Sequence, residues 1–162
     1  LLAYQEQFST KLKAVLDQAK EYPGLVLIVS TGNHAGLLFD IFQQEQLKPP
    51  SALMILSGFM LTEEDNSQFA QNMANSTFPV FDLYLKKDHP LVFNSAKLRK
   101  VQADKEMKVY YRQRQLNNYA SSYYPQQALL KEMNGWLKSI GWWMPINKLF
   151  FERNGLKWPC TR

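Results

Sequence analysis

Four short runs of apolar and β-branched residues recur along the chain at nearly constant spacing. They lie at residues 25–30, 52–56, 79–85 and 107–113. Successive runs begin 27, 27 and 28 residues apart, which leaves room for a strand, a helix and two short loops. The spacing therefore predicts successive strand–helix units, although the runs share no residues in register.

Helical periodicity fills the gaps between these runs. Apolar residues recur every three or four positions before the first run and again over residues 37–42, which predicts two amphipathic helices. Thr62 is typical of a helix N-cap, and Pro90 suits the first position of a further helix. A last helix is predicted over residues 125–140, with Trp136 on its buried side.

The alternation of strands and helices predicts an α/β fold with a mostly parallel sheet of about four strands and flanking helices. If consecutive strands are neighbours, right-handed crossovers place the connecting helices on one face of the sheet. Parallel sheets are normally covered on both faces. We therefore expect the bare face and the edge of the first strand to be covered by a protein partner, by a homo-oligomer or by a missing part of the domain.

The end of the chain differs in composition from the rest. Residues 141–162 are dense in Trp and Phe, and we expect this tail to pack on the predicted domain, residues 1–140, or on a partner. The chain begins with LLAYQEQF and no Met, which we interpret as a fragment or a processed product.

Composition narrows the possible functions. With 46% hydrophobic and 20% charged residues the chain is typical of a soluble globular domain, and no apolar run approaches the roughly 20 residues that a transmembrane helix needs. The net charge of +5 is scattered, which argues against a nucleic-acid-binding surface. One cysteine and two distant histidines, His34 and His89, provide neither an intrachain disulfide nor a zinc-ligand spacing, so we predict no metal and no cofactor.

The first apolar run leads into a glycine-bounded turn, Gly32-Asn33-His34-Ala35-Gly36, and then into a helix. This pattern has the outline G-x-S-x-G of a nucleophile elbow, with histidine in place of serine. The elbow holds its central residue at positive φ, so we expect His34 in that conformation. The glycines are expected to allow a close approach of strand and helix. The Ala35 N–H is expected to be free to act as an oxyanion donor.

Four stretches of the chain resemble the C-terminal half of an α/β-hydrolase: GLVLIVSTGNHAG, FPVFDLYLKKDHP, VYYRQRQLNNYA and LLKEMNGWLKSI. The resemblance extends from the first helix to about residue 140. Within that superfamily the chain is most similar to an uncharacterised family of proteobacterial envelope proteins. The resemblance therefore implies a periplasmic or cell-envelope location.

The resemblance also implies where catalytic residues would lie. In the superfamily a nucleophilic serine, an acid and a histidine follow one another along the chain. The serine maps to His34, and the acid maps to Asp88, after the stretch VFDLYL. The histidine maps to NNYASSYY, which contains no histidine and has Ser121 nearest the expected place. Two of three positions therefore depart from the pattern that acyl transfer requires.

We expect a catalytically degenerate hydrolase-like domain that acts as a binding or assembly module. The alternative is an unconventional serine-type ester or amide hydrolase with a rearranged site. Two rearrangements stay open: His34 pairs directly with Asp88, or it serves as a base for Ser121. A domain of flavodoxin type is disfavoured, because no glycine-rich phosphate loop beyond this single turn follows the first strand.

Two further acidic features have alternative interpretations. Glu63, Glu64 and Asp65 follow the second strand at the carboxyl edge, where open α/β sheets bind ligands, but they also suit the first turn of a helix. Asp82 lies inside an apolar run, which predicts a buried, hydrogen-bonded carboxylate whose partner cannot be read from the sequence.

Overall fold

A computed structural model describes residues 2–44, 47–120 and 123–142. Helices and strands alternate along these residues. The helices are α1 (Leu2–Ala19), α2 (His34–Gln43), α3 (Glu63–Asn75), α4 (Pro90–Lys105) and α5 (Gln126–Ser139). The strands are β1 (Leu27–Thr31), β2 (Ala52–Leu56), β3 (Val80–Leu85) and β4 (Tyr111–Leu116).

The four strands form one parallel sheet in the order β1-β2-β3-β4. Each connection therefore passes from one strand to its neighbour through a helix. The central strands, β2 and β3, are buried at every position except Tyr84, as expected where helices cover both faces of a parallel sheet. The predicted α/β class and the four-stranded parallel sheet are confirmed.

The connecting helices cover one face of the sheet. Buried residues of α2, α3 and α4 form one cluster with strand residues that face them: Ala35, Leu38, Phe39, Leu53, Ile55, Phe69, Met73, Val80 and Ala103. Phe8 and Leu12 of α1 pack against the same cluster, so α1 also lies on this face. This placement is what right-handed crossovers between neighbouring strands require.

The last helix, α5, covers part of the opposite face. Trp136 is almost completely buried, and its ring stacks on Phe81 of β3 with a centroid distance of 5.1 Å. Leu83 and Leu116 belong to the same buried cluster. At the other end of this face Val29 of β1 remains 46% exposed. The cover is therefore thinnest at the first strand.

The fourth strand begins later than the sequence predicts. It spans Tyr111–Leu116 rather than 107–113, because the chain is still turning over the preceding residues. Met107 and Tyr110 have positive φ angles of 48° and 23°. Val109 is 71% exposed, so the apolar residues here belong to a turn and do not contribute to the core.

Predicted helix starts agree with the structure more closely than helix ends. The Thr62 side chain accepts a 3.0 Å hydrogen bond from the Asp65 N–H, and Pro90 is the first residue of α4. The sequence also predicts that the Pro49-Pro50 pair ends α2, but the helix already ends at Gln43. No helix in the described ranges is long and apolar enough to cross a membrane. Most of the tail, residues 141–162, lies outside the described residues. Its packing on the domain or on a partner therefore stays a prediction.

Candidate functional site

The turn between β1 and α2 carries its positive φ at Gly32, where φ is 58°. Asn33 precedes the helix with φ −70° and ψ −20°, and His34 is the first residue of α2. The prediction that His34 occupies the strained position is therefore wrong. Glycine adopts the left-handed conformation without the steric cost of a Cβ, so the turn imposes no strain on the histidine.

Gly36 is needed for close packing rather than for backbone conformation. A Cβ on Gly36 would lie 2.3 Å from the Sδ atom of Met60 and 3.0 Å from its Cγ atom. Met60 belongs to the loop after β2 and packs over the first turn of α2. The close neighbour of this glycine is thus a side chain of the next loop, and not the preceding strand.

Helix α1 supplies the surroundings of His34. The Nε2 atom of His34 lies 2.7 Å from the hydroxyl oxygen of Tyr4. The ring of Phe8 lies beside the imidazole, with a centroid distance of 5.5 Å. The imidazole is therefore held at the interface of α1 and α2, where its hydrogen bond goes to a phenol rather than to Asp88.

The backbone N–H of Ala35 is already bonded. It donates a 3.3 Å hydrogen bond to the carbonyl oxygen of Gly32, and the residue is fully buried. The expectation of a free oxyanion donor at Ala35 is therefore wrong. The first N–H groups of a helix lack partners within the helix, and the tight turn before α2 supplies one here.

Asp88 lies in the loop after β3 and accepts three hydrogen bonds. Its Oδ2 atom accepts from the Ser57 hydroxyl at 2.5 Å and from the Leu85 N–H at 3.1 Å. Its Oδ1 atom accepts from the His89 N–H at 2.9 Å. The carboxylate is therefore bound to a serine and to its own loop.

Ser57 is the centre of this cluster. It follows β2 directly, has a φ of 50°, and donates its N–H to the Leu83 carbonyl over 2.8 Å. Its Oγ atom lies 2.5 Å from both Asp88 and the Tyr124 hydroxyl. A serine in the left-handed region costs steric energy, so these contacts must hold it there.

The direction of the hydrogen bonds in the cluster follows from the chemistry of the groups. Burial raises the pKa of Tyr124, so its phenol stays protonated. A carboxylate cannot donate, so Ser57 gives its only hydroxyl proton to Asp88, and Tyr124 donates to the serine oxygen. The resulting chain runs from Tyr124 through Ser57 to Asp88 and joins the start of α5 to the carboxyl edge of the sheet.

A buried ion pair lies beneath the same loop. Arg99 binds Asp82 through two hydrogen bonds of 2.8 Å and 2.9 Å, and both side chains are fully buried. Tyr111 and Gln113 of β4 also donate to the Asp82 carboxylate. The Nη1 atom of Arg99 donates to the carbonyl of Gly58 over 2.9 Å. The predicted buried Asp82 is thus present, with Arg99 as its partner.

A family model described as protein of unknown function (DUF3530) matches residues 2–139. The chain belongs to this DUF3530 family. Comparison with curated proteins and with solved structures gave no match. In this DUF3530 chain the matched residues include all five helices and four strands described above, so the Ser57 cluster lies entirely within the family region.

The sequence patterns of this DUF3530 chain did not predict Ser57 or Arg99 as site residues. Arg99 lies on the buried stripe of α4 with Val92, Ala96 and Ala103, at the three- and four-residue spacing of a helix face. That periodicity was the available signal for a buried arginine. For Ser57 the signal was weaker: a Ser-Gly pair directly after five fully apolar residues.

The remaining predicted residues are Ser121 and the acidic residues that follow β2. Ser121 lies outside the described residues. Glu63, Glu64 and Asp65 form the exposed first turn of α3, which agrees with the helix-dipole interpretation. Among the described residues, no group of three or more His, Cys, Asp or Glu side chains could hold a metal ion.

Two cavities lie away from Ser57 in the DUF3530 fold. One of about 490 Å³ lies at the carboxyl-terminal ends of α2 and α3, lined by Phe42, Asn75 and Phe78 among others. Another of about 470 Å³ lies between α3 and α4, with Leu61 and Leu98 in its lining. Neither is lined by Ser57 or Asp88.

Proposed function

We propose that this chain is a catalytically degenerate α/β-hydrolase-like domain, and that it acts as a binding or assembly module in the bacterial cell envelope. The resemblance of its sequence to the second half of an α/β-hydrolase is one support. The four-stranded parallel sheet, with a glycine turn between β1 and α2, is compatible with that origin.

The main support is the bonding of the groups that acyl transfer would use. Asp88 accepts from Ser57 and from two backbone N–H groups, and His34 is paired with Tyr4. The Ala35 N–H is bonded within its own turn. Asp88, His34 and Ala35 therefore each have a structural partner in place of a catalytic one.

These changes should greatly lower the rate of acyl transfer. Nucleophilic attack by a hydroxyl needs a base within about 3 Å and a donor for the developing oxyanion. Losing one member of a triad typically lowers the rate by a factor of about 10⁴. A domain with the serine and the histidine both replaced retains only its capacity to bind.

Short-chain p-nitrophenyl esters and a fluorophosphonate probe test the loss of catalysis. We expect neither turnover nor covalent labelling of the purified chain. The His34→Ala variant should behave like the wild type in both assays. Ester turnover that is lost in the His34→Ala variant would overturn the proposal.

An unconventional serine hydrolase is the second candidate, because the Ser57 hydroxyl lies 2.5 Å from a carboxylate. In that mechanism the Ser57 Oγ atom bonds to the acyl carbon of an ester while its proton passes to Asp88. The ester C–O bond then breaks, and the leaving oxygen takes the proton from Asp88. Water removes the acyl group by the same steps, with the water proton passing through Asp88.

Labelling by the fluorophosphonate probe separates the two candidates. Modification of Ser57, abolished in Ser57→Ala and retained in Ser67→Ala, would favour the hydrolase. Ser67 is a suitable control because it is an exposed serine within α3 whose hydroxyl donates to the Glu63 carbonyl. No labelling of any of the three proteins favours the binding module.

The proposed location and partners are separate parts of the function. The sequence resemblance supports a periplasmic or envelope protein, and an antibody to this chain should detect it in those fractions of the source cells. Recovery in the cytosolic fraction would contradict that location.

The proposed partner is a protein, or a second copy of the chain, that covers the thinly packed part of the sheet around Val29.

A further inference from the structure

The turn between α4 and β4 presents apolar side chains to solvent. Met107 is 83% exposed, Val109 is 71% exposed and Tyr110 is 61% exposed. Scattered exposed apolar residues are common on protein surfaces, whereas neighbouring ones mark a contact site. None of the three lines either of the two cavities described above. These three side chains therefore form a projecting apolar tip, at the edge of the sheet where the parallel strands begin.

The backbone of the tip has a costly conformation. The Met107 N–H donates to the Asp104 carbonyl and the Lys108 N–H donates to the Ala103 carbonyl, which is the pattern of a Schellman motif at the end of α4. Glycine usually occupies the left-handed position of this motif, but here Met107 does, with a φ of 48°. Tyr110 also has a positive φ, of 23°. Two bulky residues in this region cost steric energy, and such strain is concentrated in functional segments.

The lysine within the turn directs its charge away from the tip. The Lys108 ammonium donates to the carbonyls of Ser76 and Phe78 and to the Ser76 hydroxyl, all in the segment that follows α3. The tip itself is therefore uncharged. The Tyr110 hydroxyl is the one strong hydrogen-bonding group among its three side chains.

This composition favours a lipid surface over a protein as the partner. Protein interfaces form about one hydrogen bond per 100–200 Å², so they need polar groups beside the apolar ones. Acyl chains form no hydrogen bonds, and tyrosine is enriched where they meet the headgroups. The net charge of +5 attracts the chain to anionic headgroups. Lys105 and Glu106, at the base of the turn, have opposite charges and leave that attraction nearly unchanged.

We propose that the tip, formed by Met107, Val109 and Tyr110, inserts into the surface of an anionic lipid bilayer. Met107 and Val109 enter the acyl-chain region, and the Tyr110 ring lies at the level of the headgroups. The hydrogen-bonded turn is already ordered, so insertion costs little conformational entropy.

The lipid contact is separate from the protein partner proposed around Val29. Strand β1, where a partner or a missing part of the domain is expected, and strand β4, which follows the tip, are opposite edges of the sheet. The inference therefore goes beyond the proposed function. It depends neither on the loss of catalysis nor on what covers the first strand.

Co-sedimentation with phosphatidylglycerol vesicles tests the proposal, using wild type, Val109→Asp and Val15→Asp. Val15 is an exposed valine of α1, so its variant is the matched control with the same change of net charge. One charge near an anionic surface changes binding by about fivefold at most. Val109→Asp must in addition place a carboxylate among acyl chains, so it should weaken binding about tenfold more than Val15→Asp does. Neutral phosphatidylcholine vesicles should bind the wild type more weakly than phosphatidylglycerol vesicles.

An environment-sensitive dye provides a readout that does not depend on a change of charge. The chain has one cysteine, so Cys160→Ser combined with Val109→Cys or with Val15→Cys creates a single labelling site. Dye emission at position 109 should move to shorter wavelength when phosphatidylglycerol vesicles are added. Emission at position 15 should stay unchanged.

Three results would overturn the lipid contact. They are a wild-type chain that does not sediment with phosphatidylglycerol vesicles, equal weakening by the two aspartate variants, and unshifted dye emission at position 109. Ester turnover, in contrast, would overturn the degenerate-hydrolase proposal and leave the vesicle results unaffected.

Discussion

Arg99 donates a 2.9 Å hydrogen bond from its Nη1 atom to the backbone carbonyl of Gly58. The same guanidinium binds Asp82 in the core, so the buried ion pair is directly connected to the loop after β2. Ser57 is the neighbour of Gly58 in that loop. The position of the candidate site therefore depends on a charge pair that never meets solvent.

Removing Arg99 should be costly, because it leaves the Asp82 carboxylate buried without a cation. Breaking a buried ion pair in this way typically costs about 3–5 kcal/mol of unfolding free energy. Urea denaturation of Arg99→Met against wild type measures this loss. The matched control is Arg114→Met, since Arg114 is about half exposed and its nearest carboxylate atom is 3.8 Å away; its expected loss is below about 1 kcal/mol. Equal losses in the two variants would contradict the importance of the buried pair.

Gly36 and Gly135 should respond in opposite ways to substitution by alanine. At Gly36 the new Cβ would lie 2.3 Å from the Sδ atom of Met60, so the Met60 side chain must leave its packing against the core cluster, which costs up to about 1–3 kcal/mol. At Gly135, within α5, the new Cβ meets no described atom within 4 Å beyond its chain neighbours and the backbone of its own helix, so alanine should stabilise the helix by about 0.5–1 kcal/mol. Thermal unfolding of both variants checks the signs. A Gly36→Ala variant as stable as wild type would show that Met60 moves freely.

The positive φ of Ser57 predicts that glycine is tolerated there better than alanine. Both Ser57→Gly and Ser57→Ala lose the hydroxyl, so their difference isolates the backbone, and alanine should be less stable by about 1–2 kcal/mol. The order should reverse at Ser67, which lies within α3, where glycine is worse than alanine by about 1 kcal/mol. Chemical denaturation of the four variants measures both differences. The same order at both positions would refute the left-handed conformation of Ser57.

Lys108 should make the unfolding free energy of the protein depend on pH. Burial lowers the pKa of its amine from 10.5 to about 8, and the amine donates to the Ser76 and Phe78 carbonyls. Between these two values the unfolded chain binds more protons than the folded chain, so the contribution of Lys108 to stability increases as pH rises from about 8 to 10.5. The Cε resonance of Lys108 should titrate near pH 8. The unfolding free energy of wild type relative to Lys108→Met should increase over the same interval, and a flat difference would contradict the shift.

The order of helices and strands could be predicted from the sequence, because each apolar run and each helical periodicity is contained in a short stretch of the chain. The starts of α3 and α4 were marked by local capping chemistry at Thr62 and Pro90. The boundary of β4 was not, because Met107 and Val109 are apolar residues in an exposed turn. A run of apolar residues forms a buried strand only where other residues of the fold cover it.

The candidate site was less predictable, because its contacts join residues far apart in the chain. The resemblance to α/β-hydrolases pointed to Asp88, but its partner Ser57 lies 31 positions earlier and Tyr124 lies 67 positions after Ser57. The choice between Tyr4 and Asp88 as partner of His34 depends on how α1 packs, which periodicity alone does not define. Loop conformation and helix placement determine such contacts.

The agreement between sheet order and chain order also has a consequence for synthesis on the ribosome. Each new strand joins the edge left by the strand before it, so no strand must be inserted between two that have already paired. The sheet can therefore grow unit by unit as the nascent chain emerges. Helix α5 follows β4 and covers part of the opposite face with Trp136, so a nascent chain arrested before that helix should leave Phe81 accessible to chaperones.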